Sequence, residues 1–273
     1  METSPEEDLT LKTHSCRLSA TFCFAVIAVS QTACVNKKPN VTSAANSIPI
    51  SIDYSRQRPN LDQWKVWMAD YSLRHYGENE WKLNPKAIIL HYTATSVFPN
   101  SFINSDDSFK NEMPPLATQY VVQGAKIFEV LPATVRCRGA LGANQRAISI
   151  EMVAMDENEV LNNQVLISAT ARLTAKLMLD YSISISEVYS HEDIDSSIES
   201  KKIGWVLDKV NARGSGKEDP GTRAMTKIIA ATRAILESEQ SEPLSLASAA
   251  DIALSKEELD KQFPVGNVTT SGE

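Results

Sequence analysis

Residues 61–76 (LDQWKVWMADYSLRHY) place Trp64, Trp67, Met68 and Tyr71 at offsets of 3, 6, 7 and 10 from Leu61. That recurrence is one face of an amphipathic helix. Residues 87–92 (AIILHY) are a short, continuous apolar run, which predicts a buried strand. Residues 118–131 (TQYVVQGAKIFEVL) set two strand-like runs around Gly124-Ala125, the pattern of a β-hairpin. Residues 146–154 (RAISIEMVA) alternate Ile148, Ile150 and Met152 with Ser149, Glu151 and Val153, predicting another strand. A helix follows over about 160–180, with Val165, Leu166, Ala169, Leu173, Leu177 and Leu179 toward one side. Residues 186–190 (SEVYS) predict a short strand that ends at His191. The last helix opens after Asp219-Pro220-Gly221 and runs to about 237, with Pro220 near its opening turn, where a missing N–H costs nothing. Between the first two elements and the hairpin, residues 93–115 are polar and broken by Pro99, Pro114 and Pro115, a long loop with room for one short helix. The order of elements predicts an α/β protein, a single domain over residues 61–238 with a central mixed β-sheet flanked by helices. No internal repeat interrupts it.

Outside that domain the pattern changes. Lys12 and Arg17 precede an apolar run from Ala20 to Val29, too short to cross a bilayer but suited to the apolar region of an export signal. Small residues and then Cys34 follow, which resembles a bacterial lipoprotein cleavage site, although Gln31 stands where such sites prefer leucine. The expectation is a signal peptide over 1–33, a lipid anchor at Cys34 and a tether over 34–60, rich in Asn, Ser and Pro. Residues 239–273 read as a peripheral tail with one short helix near 256–261.

Composition narrows the function classes. The 273 residues carry a net charge of -7, so no electrostatic footprint for nucleic acid exists and none is expected as partner. Mean hydropathy is -0.22, which excludes a polytopic membrane protein. The four cysteines are Cys16, Cys23, Cys34 and Cys137; three precede the domain, so they form neither a disulfide framework nor a structural zinc site.

The candidate chemistry sits where strands meet loops. His14 lies in the leader and His75 near a helix end, whereas His91 and His191 end or follow apolar strands. Residues 214–221 read Gly-Ser-Gly-Lys-Glu-Asp-Pro-Gly. Asp219 in that turn is either a helix N-cap or the third member of a His-His-Asp zinc site, which would leave a fourth position for water. In an extended segment Lys217 and Asp219 share a side and Glu218 points away. Glu151 is a carboxylate in an otherwise apolar strand, and burying it is costly unless a metal or Lys217 compensates.

The segments IILHYTAT, TQYVVQGAKIFEVLP, GANQRAISIEMV, VYSHEDI and GKEDPG occur in this order. Together they resemble the zinc-dependent N-acetylmuramoyl-L-alanine amidases of the type-2 amidase and peptidoglycan-recognition-protein superfamily, over about residues 60–238. The resemblance implies one zinc ion bound by His91, His191 and Asp219, with Glu151 as general base and Lys217 facing the reacting carbonyl. It implies peptidoglycan or its muropeptide fragments as substrate, a monomer, and, with the lipoprotein leader, a place in the bacterial envelope at the periplasmic face of the outer membrane. It also marks departures. The family's groove histidines are missing here, one replaced by Gln119 beside Tyr120, the other absent from Arg138-Gly139-Ala140-Leu141-Gly142. A non-catalytic peptidoglycan-binding module of the same fold, or a purely structural envelope lipoprotein, are the alternatives.

Overall fold

The computed structural model describes residues 48–56, 58–102 and 112–241. The expected signal peptide, Cys34 and the short helix near 256–261 lie outside the described residues, as does the middle of the 93–115 loop. Six strands form one sheet: β1 (Ile52–Asp53), β2 (Ala87–Tyr92), β3 (Tyr120–Gln123), β4 (Lys126–Glu129), β5 (Ala147–Met152) and β6 (Val188–Ser190). Their order is β1-β4-β3-β5-β2-β6. The β3–β4 hairpin is antiparallel and the other pairings are parallel, so the sheet is mixed, as the sequence predicts. Among the described residues five α-helices flank it: α1 (Leu61–Tyr76), α2 (Glu157–Asn162), α3 (Gln164–Tyr181), α4 (His191–Ser200) and α5 (Thr222–Ser241). Among the described residues no helix is long and apolar enough to cross a membrane.

Strand alternation positions the chemistry. Ile88 and Leu90 of β2, with Ile148, Ile150 and Met152 of β5, pack against Leu166, Leu173 and Leu177 of α3 and Ala224 and Ile228 of α5. Each Ile, Leu or Met side chain so buried contributes about 1.5–3 kcal/mol. Ala87, Ile89 and Ala147 face the other way, onto Ile194 and Ile198 of α4. On the hairpin, Val121 and Phe128 pack against Trp64, Met68 and Tyr71 of α1. Because side chains alternate with period two, His91 and Glu151 continue the row that begins at Ala87 and Ala147. They are direct partners in the β2–β5 register. Two polar groups thus emerge on one face, near the ends of two neighbouring central strands.

Several elements differ from the sequence pattern. The helix expected over 160–180 is two helices, α2 and α3, broken at Asn163. The Asn163 side chain accepts a hydrogen bond from the Leu166 N–H, so this residue caps α3 instead of continuing α2. With that start, Val165 and Leu179 fall off the core stripe and are exposed. Residues 186–190 include a single 3-10 turn (Ile185–Glu187) before β6. His191 opens α4, a helix whose Ser190–Asp193 capping box closes both ways. Residues 48–56 and 58–60, expected as the end of a tether, are part of the fold. Ile48 is buried, β1 pairs with β4, the Arg172 guanidinium donates to the Pro49 carbonyl at 2.6 Å, and Asn60 caps α1. Alternating Ile48, Ile50 and Ile52 supply the apolar side of this extra edge strand.

Candidate metal centre and its cleft

Three segments distant in sequence deliver His91, His191 and Asp219 to one point. β2 presents His91. The capping box fixes His191 as the first residue of α4, and the His191 N–H donates to the Asp219 carbonyl at 3.0 Å. The Asp219 turn is held from its other side too. The Glu157 carboxylate of α2 accepts the Arg223 and Ala224 N–H groups at 2.8 and 3.2 Å, capping α5 with a side chain from another helix. Gly221 has φ of 88°, and a Cβ there would meet Glu157 Oε1 at 2.4 Å, so this turn requires glycine.

The donor atoms converge. His91 Nδ1 and His191 Nδ1 are 3.0 Å apart. Asp219 Oδ2 lies 3.2 Å from His91 Nδ1 and Oδ1 lies 3.4 Å from His191 Nδ1. All three residues are buried, and one ligand atom from each lies within 4.8 Å of the others. Burial and the neighbouring His191 both lower the pKa of His91, so its imidazole is held neutral. Burial works to raise the Asp219 pKa, but hydrogen bonds from His191 and His91 outweigh it and hold the carboxyl well below its usual range. Two imidazole nitrogens face each other with at most one proton to share, beside an ionised carboxylate. Such a set wants a cation, and two neutral imidazoles with one carboxylate fit zinc with an open fourth position.

Glu151 stands next to this set. Its Oε2 is buried and has no hydrogen-bond partner. Burial first, then the negative charge of Asp219, push its pKa up to about 8, with Lys217 opposing. A carboxyl so placed is able to hold or release a proton near neutral pH.

These residues line a cleft of about 570 Å³ with Tyr92, Thr93, Phe102, Arg138, Lys217 and Glu218. All five residues singled out in the sequence, His91, Glu151, His191, Lys217 and Asp219, therefore meet in one cavity. Lys217 and Glu218 are both exposed, and both belong to the lining of the cleft. Gly216, just before them, turns the chain at φ of 76°, and the Lys217 N–H is tied to Asp195 Oδ2 at 2.9 Å. Gln119 is not in the groove. It is fully buried, with Nε2 donating to the Val135 carbonyl and Oε1 accepting from the Ser149 N–H and Cys137 thiol. Arg138 does line the cleft.

Arg138 also belongs to a second charged cluster, which spacing alone did not reveal. His75 Nδ1 meets Asp208 Oδ2 at 2.8 Å and Nε2 meets Glu112 Oε1 at 3.0 Å. Arg74 and Arg138 both pair with Glu112, and Tyr71 stacks on His75. Burial disfavours the imidazolium, but the two carboxylates prevail and the His75 pKa is raised. This cluster joins the 112–117 rim of the cleft and the 206–211 loop to the end of α1.

Residues 81–222 match the family model described as N-acetylmuramoyl-L-alanine amidase. No curated protein matches the chain. Among solved structures, the chain is similar to the N-acetylmuramoyl-L-alanine amidase LysC from Clostridium intestinale URNW, at 20% identity over 41% of this chain and 72% of that one, TM-score 0.35. It is also similar to the Staphylococcus aureus hydrolase AmiA in complex with its ligand, at 18% identity over 57% and 76%, TM-score 0.40. A third is a mutant endolysin from Bacillus subtilis, at 20% identity over 41% and 74%, TM-score 0.33. The matched segment contains both histidines, both acidic residues and Lys217 and spans over half of the chain, which therefore belongs to the type-2 N-acetylmuramoyl-L-alanine amidase family.

Proposed function

We propose that this protein is a zinc-dependent amidase that hydrolyses the bond between N-acetylmuramic acid and L-alanine in peptidoglycan or its fragments. The observation that carries this reading is the convergence of His91, His191 and Asp219 beside an unpartnered Glu151 carboxylate. His91, His191 and Asp219 would hold zinc, which would supply Lewis acidity toward a carbonyl oxygen and a water. Glu151 takes the proton from the water that attacks the lactyl carbonyl, and returns it to the alanine nitrogen as the amide breaks. The Lys217 ammonium supplies positive charge where the carbonyl oxygen becomes negative. Asp219 and the two imidazoles hold fixed positions throughout, because a backbone hydrogen bond and two helix caps lock their segments. A binding module has no use for a carboxyl held half-buried and unsatisfied, so Glu151 favours catalysis over recognition alone.

The envelope location is part of the same proposal: lipidation at Cys34 would tether the domain beside its polymer. Purified protein incubated with muropeptides is expected to release free stem peptide and intact glycan, identified by mass. A chelator is expected to abolish the release and added zinc to restore it. Cleavage that persists unchanged in chelator refutes the metal-dependent reading.

A further inference from the structure

Asp195 lies one helical turn after His191 on α4, and its side chain is buried. Its two oxygens have different surroundings. Oδ2 accepts from the Ser215 hydroxyl and from the Lys217 N–H, each at 2.9 Å. Oδ1 has no hydrogen-bond partner, and neither has His191 Nε2. These two unpartnered atoms lie 3.9 Å apart. Chain packing around Asp195 is equally specific: a Cβ at Gly214 would sit 2.7 Å from the Asp195 carbonyl oxygen and 2.8 Å from its Cγ. The loop carrying Lys217 and Asp219 is therefore docked directly onto this aspartate.

A buried carboxylate retained only for stability would have both oxygens satisfied. Here one oxygen is reserved, and what it faces is the outer nitrogen of a candidate metal ligand. An imidazole that gives Nδ1 to a metal carries its proton on Nε2, and that N–H needs an acceptor to fix ring orientation and tautomer. Asp195 Oδ1, itself unpartnered and 3.9 Å away, is an acceptor facing that nitrogen.

We propose that Asp195 is a positioning residue: Oδ1 orients His191 through its Nε2–H, while Oδ2 fixes the loop bearing Lys217 and Asp219. One carboxylate thereby sets two of the three metal donors and the candidate oxyanion partner relative to each other. This role rests on the reading of His91, His191 and Asp219 as the zinc site.

Asp195→Asn separates the two tasks. The amide oxygen still accepts from Ser215 and Lys217, but the amide NH2 then faces His191 Nε2 with a donor. That favours the proton on Nδ1, the nitrogen needed for the metal. Zinc affinity, measured by competition against a chromophoric chelator, is expected to fall about 10- to 100-fold, the usual cost of losing such a partner. In protein labelled with 15N-histidine and loaded with zinc, His191 is expected to show a downfield, slowly exchanging Nε2–H proton that the variant lacks. Equal zinc affinity in Asp195→Asn and parent overturns the role. Should the variant fail to fold, the parent spectrum decides: a His191 Nε2–H that exchanges freely with water overturns it. A parent that binds no zinc overturns the site itself, a result distinct from a parent that binds while the variant binds equally.

Discussion

Glu151 combines two conditions that stability alone would not select together. It is half-buried at the floor of the cleft, and its Oε2 is buried with no partner. Its pKa is pushed up to about 8, by burial and by Asp219. Glu151→Gln is expected to keep zinc, as metal analysis would read, and to lower turnover by ~10²-fold or more, the usual scale for a lost general base. The same variant is expected to melt at or above the parent temperature, since it removes a carboxyl that its surroundings make costly to ionise. Parent-like turnover would take Glu151 out of the chemistry. Lys217 differs: it is exposed and contacts the cleft from its rim. If its ammonium meets charge that develops only during reaction, Lys217→Ala is expected to cut kcat by ~10²-fold while KM and zinc content hold. A rise in KM at constant kcat would instead make Lys217 a substrate-binding residue.

At the scale of elements, the His75 cluster joins α1 to two loops, and its pH dependence has a definite sign. The raised His75 pKa means that its contribution is complete below the ordinary imidazole range and is lost as pH rises through the folded-state value. Glu112 and Asp208, whose pKa values are lowered despite burial, lose their contributions only as pH falls through the carboxylate range. His75→Gln is therefore expected to reduce the melting temperature more at pH 6 than at pH 9. The loss at pH 6 is expected to be about 2 kcal/mol, the scale of a hydrogen bond to a charged group. An equal reduction at both pH values would show that the ring is not charged in the fold. None of this was legible in the sequence, because Asp208 and Glu112 are far from His75 along the chain and no local spacing links them. Local periodicity did define α1, β2, the hairpin and β5, where apolar side chains recur at one period without interruption. It missed the break between α2 and α3, where Asn163 decides the boundary by a side-chain hydrogen bond that apolar spacing does not register. It missed α4 because that helix buries only Ile194 and Ile198 as apolar contacts, so its readable sign was the Ser190–Asp193 capping box. Missing α4 hid Asp195, which shares a face with His191 only once the helix is known. The five cleft residues were legible from their order in the chain, whereas Gln119 was misplaced because position in a motif does not tell inside from groove.

For the molecule as a whole, the proposed lipoprotein leader would set where the domain works. Cys34→Ser is expected to shift the protein from the membrane fraction to the soluble fraction, because several acyl chains on one cysteine exceed the single chain that binds only reversibly. A parent protein that is already soluble would refute the anchor. The hydrogen bond from the His191 N–H to the Asp219 carbonyl matters on this scale as well. It closes the base of the excursion between them, and Asp195 closes it a second time at Ser215 and Lys217. Between those two clasps, Val206 and Asp208 are buried and tied to the rest of the fold, whereas Ala212 and Arg213 are exposed. Lengthening a loop closed in this way costs only about 0.6 kcal/mol per doubling. The exposed turn at Ala212 and Arg213 is thus the part of the excursion where evolution or a designer is free to insert and delete without retuning the centre.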